Sequence, residues 1–219
     1  VAARAGARHV AGVNAQAPSR GWWWLCALHG AASLLMWWGG QNASSGFVWH
    51  ANDWTRQPWT LWTSAWVHLS TPHLIGNLLA LGGVAAAGWV LRPDARCTMA
   101  WLLAWPLTQV SLLLWPPVHH AAGLSGLLHA GTLLLAVQLA LGTAPVHGAR
   151  LWGVLLMAGA LTKVVLERGW SQPLVWQADT GIQVVQAAHL TGAFWGVLLG
   201  LGVAVWQRAG TKKPAEAGL

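Results

Sequence analysis

Residues 185–206, VQAAHLTGAFWGVLLGLGVAVW, run for 22 positions without a charged side chain. Roughly 20 mostly apolar residues are long enough to cross a bilayer as a helix. Five other stretches share this character, at about 22–39, 74–91, 98–115, 124–142 and 151–167. Backbone in lipid must satisfy its own hydrogen bonds, so only helices or closed barrels can span. A barrel would alternate polar and apolar residues over short strands. These runs are continuous, so the expected fold class is all-α: a polytopic membrane protein with six transmembrane helices. Composition agrees. The chain is 55% hydrophobic and 8% charged, against roughly 25% charged in soluble domains. It holds 19 Trp and no Tyr, and Trp favours the water–lipid boundary.

The basic residues set a direction. Arg4, Arg8 and Arg20 precede the first segment, and Arg92 and Arg96 follow the second. Arg150 follows the fourth, and Arg208, Lys212 and Lys213 follow the sixth. With six spans all nine share one side, while the other side holds Arg56 and Arg168. The positive-inside rule then makes both termini cytoplasmic. The expected organisation is a cytoplasmic N-terminal segment 1–21, a six-helix membrane domain 22–206 and a cytoplasmic tail 207–219. The first segment lacks a small-residue cleavage site and reads as an uncleaved helix. Loops 40–73, 116–123 and 168–184 face outward. The first is long and Trp-rich, and is expected to lie partly in the interface. The net charge of +7 is accounted for by these orienting residues, so no nucleic-acid partner is expected. Cys26 and Cys97 form no metal or disulfide pattern.

Under this topology the second, fourth and sixth segments all descend from the outer face. Near their outer ends they carry His73 and Asn77, Ser125, and His189. His73 and Asn77 are spaced i,i+4 and point the same way. Alone, Ser125 reads as a small packing residue, His189 as a core histidine, and His73 with Asn77 as an interhelical pair. Together they place a nucleophile, a base and two donors at one depth, where polar side chains usually mark function. Gly192 and Gly196 form a small-xxx-small face, and Gly123 and Gly126 flank Ser125. Close packing of the fourth and sixth segments would bring Ser125 and His189 into hydrogen-bond reach, and a bulky residue at Gly192 should separate them.

Three motifs resemble the rhomboid intramembrane serine proteases. "HLSTPHLIGN", from His68 to Asn77, is similar to the second core helix of that family; "GLSG" resembles its nucleophile motif, and "AHLTGAFWG" its catalytic-histidine helix. The resemblance covers about residues 54–205. "GLSGLLHAG", with His129 four residues after Ser125, together with Lys163, Glu167 and the six-helix length, looks most like the rhombosortase branch. The resemblance implies Ser125 as nucleophile and His189 as general base. It implies His73 and Asn77 in the oxyanion hole and His68 in structural support. No cofactor or metal is implied. The implied partners are membrane-anchored protein substrates, in the rhombosortase branch exported proteins with C-terminal Gly-Gly-containing anchors. The implied location is a bacterial inner membrane, with the site opening to the periplasmic or extracellular side.

Asp53, Asp94, Glu167 and Asp179 all fall in loops or at segment ends, so a Ser–His dyad is expected. Lys163 and Glu167 read as a snorkelling interfacial pair, and His129 as a core hydrogen-bonding residue. Ten histidines keep a haem or metal protein as an alternative, with His73, His129 and His189 as ligands. A metalloprotease lacks its H-E-x-x-H motif. A catalytically inactive rhomboid-like helix-binding protein is the other alternative; the presence of Ser125 and His189 argues against it.

Overall fold

The computed structural model describes residues 20–40, 46–144, 146–179 and 181–211. Segment 1–19 and residues 212–219 of the tail lie outside it. Seven α-helices are present among the described residues: α1 (Arg20–Trp38), α2 (Thr60–Thr63), α3 (Thr71–Leu91), α4 (Ala95–Ser111), α5 (Ser125–Ala140), α6 (Ala149–Glu167) and α7 (Gln186–Thr211). Helix α7 therefore runs five residues into the stretch expected to be tail. Six of the helices fall on the six apolar segments. Four of them, α3, α4 with its 3₁₀ extension, α6 and α7, are long and apolar enough to cross a membrane. Helix α5 is apolar but has only 16 residues. At 1.5 Å per residue it spans about 24 Å.

Helix α5 is the axis of the bundle. Twelve of its residues are buried, and it packs on α7, α6, α3 and α4. A helix apolar all round is what a bundle centre requires. The outer helices show the opposite pattern. On α6, Leu151, Trp152, Val154, Leu155 and Leu166 are all exposed. An exposed apolar surface of this extent is what lipid covers.

Local chemistry sets the helix ends. Ser70 caps α3, its Oγ accepting from the His73 N–H at 3.4 Å, and a Pro follows in the first turn, where its missing N–H costs nothing. Asp94 caps α4 through the Cys97 N–H at 3.0 Å, and its other oxygen accepts from Gln207 Nε2 at 3.1 Å. The start of α4 is thereby tied to the end of α7. Helix α1 docks through Trp22, stacked on Trp101 with centroids 4.4 Å apart. His29 Nδ1 also accepts from Trp66 Nε1 at 3.1 Å.

The loops between the apolar segments are partly ordered. The long first loop contains strand β1 (Trp49–His50), α2 and a 3₁₀ turn (Ser64–Trp66). β1 pairs antiparallel with β2 (His120–Ala121), Trp49 opposite Ala121. That pairing fixes the chain just before Ser125. The loop between α6 and α7 is a hairpin, β3 (Leu174–Gln177) against β4 (Ile182–Val185), with Leu174 opposite Val185.

Candidate active site

Ser125 is the first residue of α5, and His189 lies in the first turn of α7. Small residues bring the two helices together. A Cβ on Gly192 would fall inside the carbonyl oxygen of Gly126, and one on Gly196 inside that of Ala130. With the backbones this close, Ser125 Oγ lies 2.9 Å from His189 Nε2.

No acid is expected beside His189, yet one does face it. Glu167, the last residue of α6, sets its Oε2 2.9 Å from His189 Nδ1. Arg168 ends α6 in the left-handed conformation (φ 54°). Gly169 then passes so close to the Gln186 carbonyl that a Cβ would collide with it. The chain end of α6 is thus held against the start of α7, and Glu167 reaches across. Nor are Lys163 and Glu167 merely a surface pair. Lys163 Nζ donates to the other Glu167 oxygen and lies 3.3 Å from His129 Nε2. His129 Nδ1 lies 2.7 Å from the Ser125 carbonyl oxygen, and its ring stacks on His189 with centroids 4.4 Å apart.

The partners assign the tautomers. A carboxylate only accepts, so His189 Nδ1 carries the proton and Nε2 is free to accept from the Ser125 hydroxyl. A carbonyl only accepts, so His129 Nδ1 carries its proton and Nε2 accepts from Lys163. The hydrogen bonds thus form a circuit that starts at the Ser125 hydroxyl and returns to the Ser125 carbonyl.

Beyond the hydroxyl lies a donor wall. Gly123 has φ 112°, a conformation glycine adopts freely. A side chain there would also strike the His73 ring. The Gly123 N–H donates to the Ser64 carbonyl at 2.9 Å, which holds this turn. His73 Nδ1 and Asn77 Nδ2 are buried, and no acceptor among the described residues reaches either. His68 stands behind them. It is buried, its Nδ1–H donates to the Trp66 carbonyl at 3.0 Å, and its ring is 5.0 Å from that of His73. Burial pushes His68 down to about 4, against a smaller opposing effect of the Trp66 hydrogen bond, so it is neutral at pH 7. A cavity of ≈ 30 Å³ is lined by His73, Gly123, Ser125, Gly126, Ala188 and Val184 of the hairpin. Water needs about 10–15 Å³ by this measure, so about two molecules fit.

A family model described as the rhomboid domain matches residues 55–206. This chain belongs to the rhomboid family. Rhomboids are intramembrane serine proteases, and the four long apolar helices agree with an integral membrane protein. The match takes in every helix from α2 to α6 and α7 as far as Trp206, and leaves α1 outside. No curated protein sequence matches this rhomboid.

The structure brings together Ser125, His189, His73 and Asn77, with Gly123, Gly126, Gly192 and Gly196 at the close approaches. Sequence reasoning named Glu167 but did not place it against His189. The signal was an acid at the end of an apolar segment, which is costly in lipid unless it is paired.

Proposed function

We propose that this protein is an active intramembrane serine protease with a Ser125–His189–Glu167 triad, of the rhombosortase type. It would cleave transmembrane anchors of exported proteins near the outer face of the bacterial inner membrane. The observation that carries this reading is the chain of two 2.9 Å contacts, Ser125 Oγ to His189 Nε2 and His189 Nδ1 to Glu167. In it the serine hydroxyl gives its proton to His189 as it attacks the scissile carbonyl. Glu167 holds the required tautomer and stabilises the imidazolium that forms. The tetrahedral oxygen takes its hydrogen bonds from Asn77 Nδ2 and His73. His189 then passes the proton to the leaving amine, and a water from the cavity hydrolyses the acyl-enzyme. With both termini cytoplasmic and six spans, the N-terminal end of the short helix α5 sits below the outer surface. That depth matches a cut within an anchor rather than in a soluble domain. Anchors carrying a Gly-Gly motif suit this reading, since an anchor must unwind before its carbonyl can be attacked.

The test is labelling in membranes with a fluorophosphonate, followed by mapping of the adduct. The expected result is one adduct, on the peptide containing Ser125. An adduct on another residue, or none with a probe that labels a control serine protease, would overturn the reading.

The donor wall gives a second expectation. Asn77→Ala should lower kcat about 10²–10³-fold, the usual loss for one oxyanion donor. Thermal stability should hold or rise, because the substitution removes a buried donor that no protein acceptor satisfies. Unfolding in detergent and turnover of a reconstituted anchor substrate measure the two effects. A fall in both together would assign Asn77 to structure.

A further inference from the structure

The arm formed by His129 and Lys163 has no part in the proteolytic steps, yet it completes a recognisable donor set. His129, His189 and Glu167 each offer one ligand atom, and these atoms lie within 4.8 Å of one another; the ring nitrogens not engaged by Ser125 are His129 Nε2 and His189 Nδ1. Two imidazoles and a carboxylate are the ligand set of many catalytic zinc sites. The outer contacts also fit. A metal-ligating histidine usually donates its other ring N–H to a backbone carbonyl or carboxylate, and His129 does this to the Ser125 carbonyl at 2.7 Å. A cation already occupies the neighbourhood, since the Lys163 ammonium contacts both His129 and Glu167. That ammonium is displaceable. The Lys163 side chain is 52% exposed, and its flexible stem can carry the charge out to the headgroups.

We propose that His129, His189 and Glu167 form an inhibitory site for a divalent metal of the zinc type, held in the free enzyme by the Lys163 ammonium. Tetrahedral zinc with bonds near 2.0–2.1 Å needs ligand atoms about 3.3 Å apart. The three side chains therefore close in by rotamer adjustment, and water fills the fourth position. The inhibition follows from the tautomer. Zinc binds His189 through the Nδ1 lone pair, so the ring proton moves through water from Nδ1 to Nε2. The ring keeps one proton, and the hydrogen bonds of Lys163 to Glu167 and His129 break. Nε2–H can no longer accept the Ser125 proton, and the nucleophile is left without its base.

Metal binding is independent of the protease reading, while the inhibition rests on it, so the experiment has two arms. In the first, Co²⁺ is titrated into the full-length Ser125→Ala protein in detergent, and the visible ligand-field absorption of a four-coordinate site is followed. Saturable bands are expected, weakened about tenfold or more by adding His129→Ala and strengthened about tenfold by adding Lys163→Met. Absence of bands, or bands indifferent to His129→Ala, overturns the site. In the second arm, Zn²⁺ is titrated against turnover by the wild type, Lys163→Met and Lys163→Arg, each relative to its own metal-free rate. EDTA-reversible inhibition is expected, about tenfold more sensitive in Lys163→Met. It should be no more sensitive than wild type in Lys163→Arg, which keeps a cation in place. Cobalt binding without zinc inhibition of an active wild type overturns the regulatory proposal. A wild type inactive with every substrate leaves the first arm to decide the metal site and counts against the protease reading alone.

Discussion

Ser125→Ala and His189→Ala should each reduce turnover of a reconstituted transmembrane substrate by about 10⁶-fold, as loss of nucleophile or base does in serine proteases. The informative variant is Glu167→Gln, expected to fall by about 10⁴-fold. Geometry explains why so small a change should cost so much. One Glu167 oxygen accepts from Lys163, and the other accepts from His189 Nδ1 at 2.9 Å. A carboxamide has only one oxygen. Turning its NH₂ toward Lys163 opposes two donors, one of them charged. The amide therefore gives its oxygen to Lys163 and its NH₂ to His189. Nδ1 must then accept, the proton moves to Nε2, and the base is lost. Glu167→Ala leaves a gap that water can enter and imposes no tautomer, so it should retain at least as much activity as the Gln variant. Single-turnover rates in proteoliposomes at saturating substrate would show this order. A pure Ser–His dyad would leave both Glu167 variants within about tenfold of wild type.

How much of this was legible in the sequence follows from where each residue sits. Ser125, His189, His73 and Asn77 lie near the ends of apolar segments, and helical periodicity with chain order is enough to suggest that they meet, as they do. Gly192 was legible as a packing residue because a small-xxx-small spacing has one geometric consequence. Glu167 was not, since its reach depends on how α6 ends. The left-handed turn at Arg168 and the near contact of Gly169 with Gln186 swing the acid toward α7, and neither leaves a periodic signature. The role of Lys163 was hidden for a related reason: a lysine four residues before a glutamate reads as a local helix pair, whereas its second partner, His129, is 34 residues away. The hairpin of β3 and β4 was hidden because its strands have only four residues each and break no apolar run. The short length of α5 was blurred by apolar residues on both sides of it.

Gly192→Ala should be among the most damaging single-methyl additions available to this protein. The added carbon would overlap the Gly126 carbonyl oxygen, a backbone atom in the first turn of the central helix. Neither group can rotate away, so α5 and α7 must part along their tightest seam. The expected destabilisation exceeds about 4 kcal/mol, the range reserved for overpacking and broken cores. Activity should fall further than stability alone requires, because the seam also sets the 2.9 Å approach of Ser125 to His189. Gly202 supplies the control on the same helix. A Cβ there meets nothing within 4 Å, and replacing a mid-helix glycine by alanine usually gains about 0.5–1 kcal/mol. Thermal unfolding in detergent should therefore show Gly202→Ala at or above wild type and Gly192→Ala far below it. Fluorophosphonate labelling of whatever Gly192→Ala protein remains folded at low temperature should be weak. Full labelling of that fraction would mean that the Ser125–His189 contact does not depend on the close approach of the two backbones.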